Sequence, residues 1–166
     1  MDKQIFITNG MARCGKDTFA TFLNELVPTL KYSSIDKVKD VARLCGWEGK
    51  KTEKDRKFLS DLKMLTTEYS EMPFKAIENQ VSKFLKDSRY QILLIDIREP
   101  DEIDKAKLAF NAETILITNS RVENIVSNIG DANVFDYAYD YIIENEGTLE
   151  EFKENIKVFV EKVIQL

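Results

Sequence analysis

The stretch "ITNGMARCGKDTFA", residues 7–20, decides how this chain folds. Gly10-Met11-Ala12-Arg13-Cys14-Gly15-Lys16 spells a glycine, four residues, then Gly-Lys. At that spacing backbone N–H groups and the start of a helix surround phosphate oxygens while the lysine reaches the outer phosphates. At average glycine and lysine usage such a match arises in about one random chain in twenty of this length. Context gives it weight. "QIFIT" (4–8) is a short β-prone run ending at Asn9-Gly10, and "KDTFATFLNEL" (16–26) sets Phe19, Phe22, Leu23 and Leu26 near one helical face. Strand, glycine loop and helix succeed one another as phosphate binding requires.

Beyond this unit, Pro28 stops the helix, "LKYSSI" (30–35) reads as a second strand, and "DKVKDVARLCGW" sets Val38, Val41, Ala42 and Cys45 at helical spacing. A polar loop, "WEGKKTEKD", precedes two amphipathic helices within 53–87. Their stripes are Phe58, Leu62, Leu65, Tyr69 and Met72, then, after Pro73, Phe74, Ile77, Val81 and Phe84. "YQILLIDI" (90–97) is an apolar run expected to be a central strand covered on both faces, ending at Asp96. A helix over 99–110 starts with proline and acids, "ETILIT" (113–118) and "DYIIEN" (140–145) are further strands, and Thr148 with Glu151 caps a final helix. Strands alternating with helices predict an α/β fold: three αβα layers around a five-stranded parallel sheet.

With 166 residues, the chain is expected to form one domain. A formal charge of −5 argues against a protein that neutralises many nucleic-acid phosphates, so a small anion is the better partner. No apolar run suits a signal peptide or a membrane span, which points to the cytoplasm. Cys14 and Cys45 make neither a disulfide framework nor a zinc knuckle, and both are expected as free buried thiols. The complete absence of histidine excludes a histidine base, the serine and cysteine triads, and histidine-containing zinc sites. Chemistry here must rest on carboxylates, Lys, Arg and bound metal.

Asp17 stands where many phosphate loops carry a hydroxyl that ligates Mg²⁺, and the hydroxyl is displaced by one residue to Thr18. Asp17 either orders metal-bound water or is a first-turn acid complementing the helix dipole. "GKDT" (15–18) resembles the loops of nucleoside monophosphate kinases, phage-type deoxynucleoside monophosphate kinases and related small-molecule kinases. "SIDKVKDVARLCGW", "LLIDIREPDEI" and "DYIIENEGTLEEF" extend the likeness over most of the chain.

The resemblance implies a P-loop NTP hydrolase-type fold with a helical acceptor-binding region over 36–88 and a short lid over 119–138. It implies ATP held by Gly10, Arg13, Cys14, Gly15, Lys16, Asp17 and Thr18, with Mg²⁺ approached through water by Asp17, Thr18 and Asp96. Lys39 takes the place of the basic residue that holds an acceptor's phosphate, or is a solvated helix lysine. Asp36 contacts the acceptor or caps its helix. Asp96 and Arg98 form a D-x-R element at a strand's carboxyl end, where ligands of open sheets bind, or a structural ion pair. Arg121, alone in a lid that usually carries more arginines, joins Lys16 and Arg98 in neutralising the phosphoryl group. Asn145 and Gly147 lie near the adenine base or form a turn. The implied activity is ATP-dependent phosphorylation of a small phosphorylated acceptor, a (deoxy)nucleoside monophosphate first, dephospho-coenzyme A or phosphomevalonate second. A third reading is an ATP-binding regulatory module with little turnover.

Overall fold

A computed structural model describes residues 3–122 and 134–164. The elements are β1 (Gln4–Asn9), α1 (Lys16–Leu26), β2 (Thr29–Ser33), α2 (Asp36–Leu44), α3 (Glu53–Ser70), α4 (Met72–Lys86), β3 (Ile92–Asp96), α5 (Pro100–Phe110), β4 (Glu113–Thr118), β5 (Tyr141–Glu144) and α6 (Leu149–Ile164). The chain divides into two compact units, residues 1–31 with 87–166, and residues 32–86.

The five parallel strands run in the order β2-β3-β1-β4-β5. Alternation along β1 explains the layers. Phe6 joins Phe19, Phe22 and Leu23 of α1 and Phe152, Ile156 and Phe159 of α6 in one apolar cluster. Ile5 and Ile7 point the other way, toward the face where α5 packs on β1 with Ile103 and Ala106 buried. The first cluster is rich in edge-to-face aromatic pairs, Phe6–Phe159 at 5.5 Å and Tyr141–Phe159 at 5.2 Å between ring centres. Such pairs contribute roughly 0.5–1.5 kcal/mol each beyond their buried area.

The strand order positions the site. From β1 the chain leaves through α1 toward β2, on one side; from β3, beside β1, it leaves through α5 to β4 on the other side. Neighbouring strands therefore send their helices to opposite faces at the carboxyl ends of β1 and β3, the place where open sheets of this kind bind ligands. Register sets Thr8 opposite Asp96 at the polar end of β3 and Asn9 opposite Leu116 of β4.

The second unit carries α2, α3 and α4, with Val38, Ala42, Ile77, Val81 and Phe84 buried. Several expectations are corrected. The break between α3 and α4 falls at Glu71, in a left-handed turn, with Pro73 inside the first turn of α4 where its missing N–H costs nothing. No residue of α3 is buried, and Leu65 and Tyr69 are exposed, as is Leu26 at the end of α1. Their periodicity is helical, but no neighbour covers them fully. Cys45 is exposed rather than buried, because α2 ends at Leu44 and the chain turns outward. Among the described residues no helix is long and apolar enough to cross a membrane.

Candidate functional site

The glycine loop joins β1 to α1 through backbone that only small or unusual residues adopt: φ is +148° at Gly10, +66° at Arg13 and +107° at Gly15. Gly15 is the N-cap of α1 and supplies no side chain to its first turn, so the leading N–H groups of that helix are left for an anion. A β-carbon at Gly15 would sit 2.5 Å from Asn145 Nδ2. Lys16 folds over the loop, donating to the carbonyls of Gly10 at 2.5 Å and Met11 at 2.9 Å, with the buried Cys14 Sγ at 3.8 Å. Burial lowers the Lys16 ammonium from its ordinary range, with Arg98 and Lys31 adding to the effect and Cys14 and Asp96 opposing it. Burial also pushes the Cys14 thiol up, which keeps it neutral. Arg13 is exposed at the loop's crest, and Thr18 is half-buried one turn into the helix.

Asp96 ends β3 with one carboxylate oxygen accepting the Thr8 hydroxyl and the other 3.1 Å from Lys31 Nζ. Lys31 also forms an ion pair with Asp17. Burial alone would depress the Lys31 ammonium, but the carboxylates of Asp96 and Asp17 outweigh it and hold the group above its ordinary value. Asp17, an exposed acid in the first turn of α1, is thus paired with a lysine 14 residues away. Lys31 escaped the sequence reading because nothing local marks it; only the placement of β2 beside β3 brings it to both acids.

A second unforeseen group is Asn9, buried at the end of β1. Its Oδ1 accepts the Gly10 N–H at 2.8 Å, while Nδ2 donates to the Arg98 carbonyl at 3.2 Å and to the Tyr139 hydroxyl at 2.9 Å. Tyr139 in turn donates to the Val134 carbonyl at 2.9 Å. Burial pushes the Tyr139 phenol up to about 12, with the Asn9 bond opposing, so it stays a neutral donor. One amide thus ties the glycine loop, the chain after β3 and the segment before β5. Tyr139→Phe removes two hydrogen bonds, the one from Asn9 and the one to the Val134 carbonyl, and lowers stability by about 2 kcal/mol, read as a fall of several degrees in the melting temperature.

Asn145 Nδ2 donates to the Cys14 carbonyl at 3.0 Å, fastening the end of β5 to the glycine loop. Arg121 Nη2 donates to the Asn145 carbonyl at 3.1 Å. Gly147 leaves room for Glu151, whose carboxylate accepts the Thr148 N–H at 2.6 Å in the expected capping box. Most of the lid expected over 119–138 lies outside the described residues.

The structure thus brings Gly10, Arg13, Cys14, Gly15, Lys16, Asp17, Thr18, Asp96, Arg98, Arg121, Asn145 and Gly147 into one unit. Asp36 and Lys39 belong to the other, where Lys39 Nζ lies 3.3 Å from Asp36 Oδ1. Asp36 is the first residue of α2, not its N-cap, and accepts the Ser33 N–H at 2.9 Å. Among the described residues no group of three or more His, Cys, Asp or Glu side chains is arranged to hold a metal by itself.

Three solved structures share this architecture over nearly their whole length. A dephospho-CoA kinase from Campylobacter jejuni is 18% identical with a TM-score of 0.56, covering 96% of this chain and 97% of its own. A shikimate kinase from Aquifex aeolicus is 13% identical with a TM-score of 0.51, covering 98% and 99%. A thymidylate kinase from Candida albicans is 12% identical with a TM-score of 0.51, covering 97% and 92%. The fold is that of the P-loop kinases. At these identities the likeness is one of architecture, and substrates do not transfer with it. No family model and no curated protein matches the sequence.

Proposed function

We propose that this protein transfers a phosphoryl group from ATP, with Mg²⁺, to a small phosphorylated acceptor, a nucleoside or deoxynucleoside monophosphate first and dephospho-coenzyme A or phosphomevalonate second. The observation that carries the proposal is Lys16: a partly buried cation inside a positive-φ loop, at the start of a helix with no side-chain cap. Kinases solved with the same fold, named for dephospho-CoA, shikimate and thymidylate, support transfer to a small molecule.

Phosphoryl transfer asks the protein for alignment and charge neutralisation, and it proceeds without a histidine base. In this reading the loop N–H groups and Lys16 hold the donor's phosphates, and Arg98, Arg13 and Arg121 neutralise the transferring oxygens. Mg²⁺ supplies charge neutralisation between phosphates when bound, and Asp17, Thr18 and Asp96 would reach it through water, consistent with an ion that keeps much of its hydration. Asp36 and Lys39 would serve the acceptor, and Asn145 and Gly147 the base.

A second reading, ATP binding with little turnover, is favoured by Arg121, whose guanidinium is engaged with the Asn145 carbonyl. Coupled ADP release with MgATP against a panel of nucleoside and deoxynucleoside monophosphates, dephospho-coenzyme A and phosphomevalonate decides between them. The expected result is turnover at least a hundredfold above background with one acceptor class. ATP binding with no acceptor-stimulated turnover leaves the regulatory module.

A further inference from the structure

Lys31, on β2, brings a further cation beside the glycine loop's helix and the end of β3. Its ammonium lies between two carboxylates from different elements, Asp17 on the first turn of α1 and Asp96 at the end of β3. Asp96 is further fixed by the Thr8 hydroxyl on its Oδ1, and Lys31 engages the other oxygen, Oδ2. Lys31 also adds, weakly, to the lowering of the Lys16 ammonium, so the two cations act on one another.

We propose that Lys31 is a resident counter-ion that competes with divalent metal for the Asp17–Asp96 pair, so that metal enters this site together with nucleotide phosphates and not before them. The inference rests on reading the glycine loop as a phosphate site. A hydrated Mg²⁺ holds direct oxygen ligands at about 2.1 Å and further acceptors through its waters, so carboxylates that share one ammonium are spaced to share one hydrated ion. With Lys31 between them, one of the pair's two negative charges is offset and the space between the carboxylates is occupied, so a metal gains less by arriving alone. Polyphosphate changes this balance twice over. It brings oxygens that ligate the metal, and it offers Lys31 a new anionic partner. Asp17 is then the acid that holds Lys31 in place in the nucleotide-free protein, which explains a carboxylate beside a phosphate loop.

Mn²⁺ binding to the nucleotide-free protein, followed by electron paramagnetic resonance, tests this without any assay of activity. The expected result is weak binding by the wild type, binding at least tenfold tighter by Lys31→Met, and wild-type binding by Lys31→Arg. Asp17→Asn in the Lys31→Met background abolishes the gain. Should Lys31→Met fail to fold, Lys31→Gln gives the same reading, since its amide donates to the carboxylates without carrying charge. Equal Mn²⁺ affinity in the wild type and the uncharged variants overturns the proposal, as does tighter binding by Lys31→Arg. Repeating the titration with ATP present is expected to shrink the difference between wild type and variant. If the Mn²⁺ signal with ATP and any of the proteins equals that of Mn²⁺ and ATP without protein, the phosphate-site reading fails, whereas the nucleotide-free comparison still reports on Lys31 alone.

Discussion

Lys16→Ala lowers phosphoryl transfer by about a thousandfold and leaves the melting temperature within about 3 °C of the wild type. The two halves of this expectation have separate origins. The loss of rate follows from removing the cation nearest the loop, where one well-placed donor to a developing charge accounts for a factor of roughly 10²–10³ and a full positive charge lies at the upper end. The small change in stability follows from opposing effects. The ammonium donates to the Gly10 and Met11 carbonyls, which stabilises the loop, but it is held there against a desolvation penalty that depresses its proton affinity. Alanine removes both. Because the folded-state value is lowered, the penalty is present at neutral pH and relaxes as pH rises through the depressed value, so any stability gained by the variant shrinks in alkaline solution. Lys16→Arg is expected to be nearly as inactive, since a planar fork does not fit the pocket of a compact ammonium. Single-turnover ADP formation and thermal denaturation measure both halves. A fall in rate of less than tenfold removes Lys16 from the chemistry.

What was legible in the sequence divides along the range of the interactions. The helix over 16–26 and the strand over 113–118 coincide with α1 and β4 because local signals bound each of them: the glycine loop and Pro28 for the first, and Ala112 and Asn119 flanking a β-branched run for the second. The Thr148–Glu151 capping box is equally local. Burial was less legible. Leu65 and Tyr69 repeat with the period of a packed stripe, yet period reports only that residues share a face, not that anything covers it. The parts of the site that the sequence concealed join distant segments. Asn9 meets Tyr139 across 130 residues, Asn145 meets Cys14 across 131, and Lys31 reaches Asp96 because β2 is laid beside β3. Strand order is a tertiary outcome, and no local propensity carries it. The glycine-loop residues are legible because they lie together in one short stretch; the residues that support the loop are not, because spacing is silent about them.

Gly10→Ala is the substitution expected to cost the most stability, about 3 kcal/mol or more, lowering the melting temperature by roughly 10 °C. At φ +148° an L side chain is strained, and its β-carbon would lie 2.5 Å from the Ile117 carbonyl oxygen and 2.6 Å from Cys14 Sγ. The first obstacle is backbone of β4, the strand paired with β1, so it gives way only if the sheet's register or the loop itself moves. Gly15→Ala meets instead the amide tip of Asn145, a side chain that can swing aside at the expense of its bond to the Cys14 carbonyl. It is expected to cost about half as much. The two obstacles at Gly10 separate experimentally. In a Cys14→Ala background the sulfur is gone but the carbonyl is not, so Gly10→Ala there recovers part of the lost stability and never all of it. Full recovery would assign the whole constraint to the thiol; none would assign it to β4. Either way, displacing Gly10 moves the carbonyl that receives Lys16, so ATP affinity measured by calorimetry is expected to fall in parallel with stability.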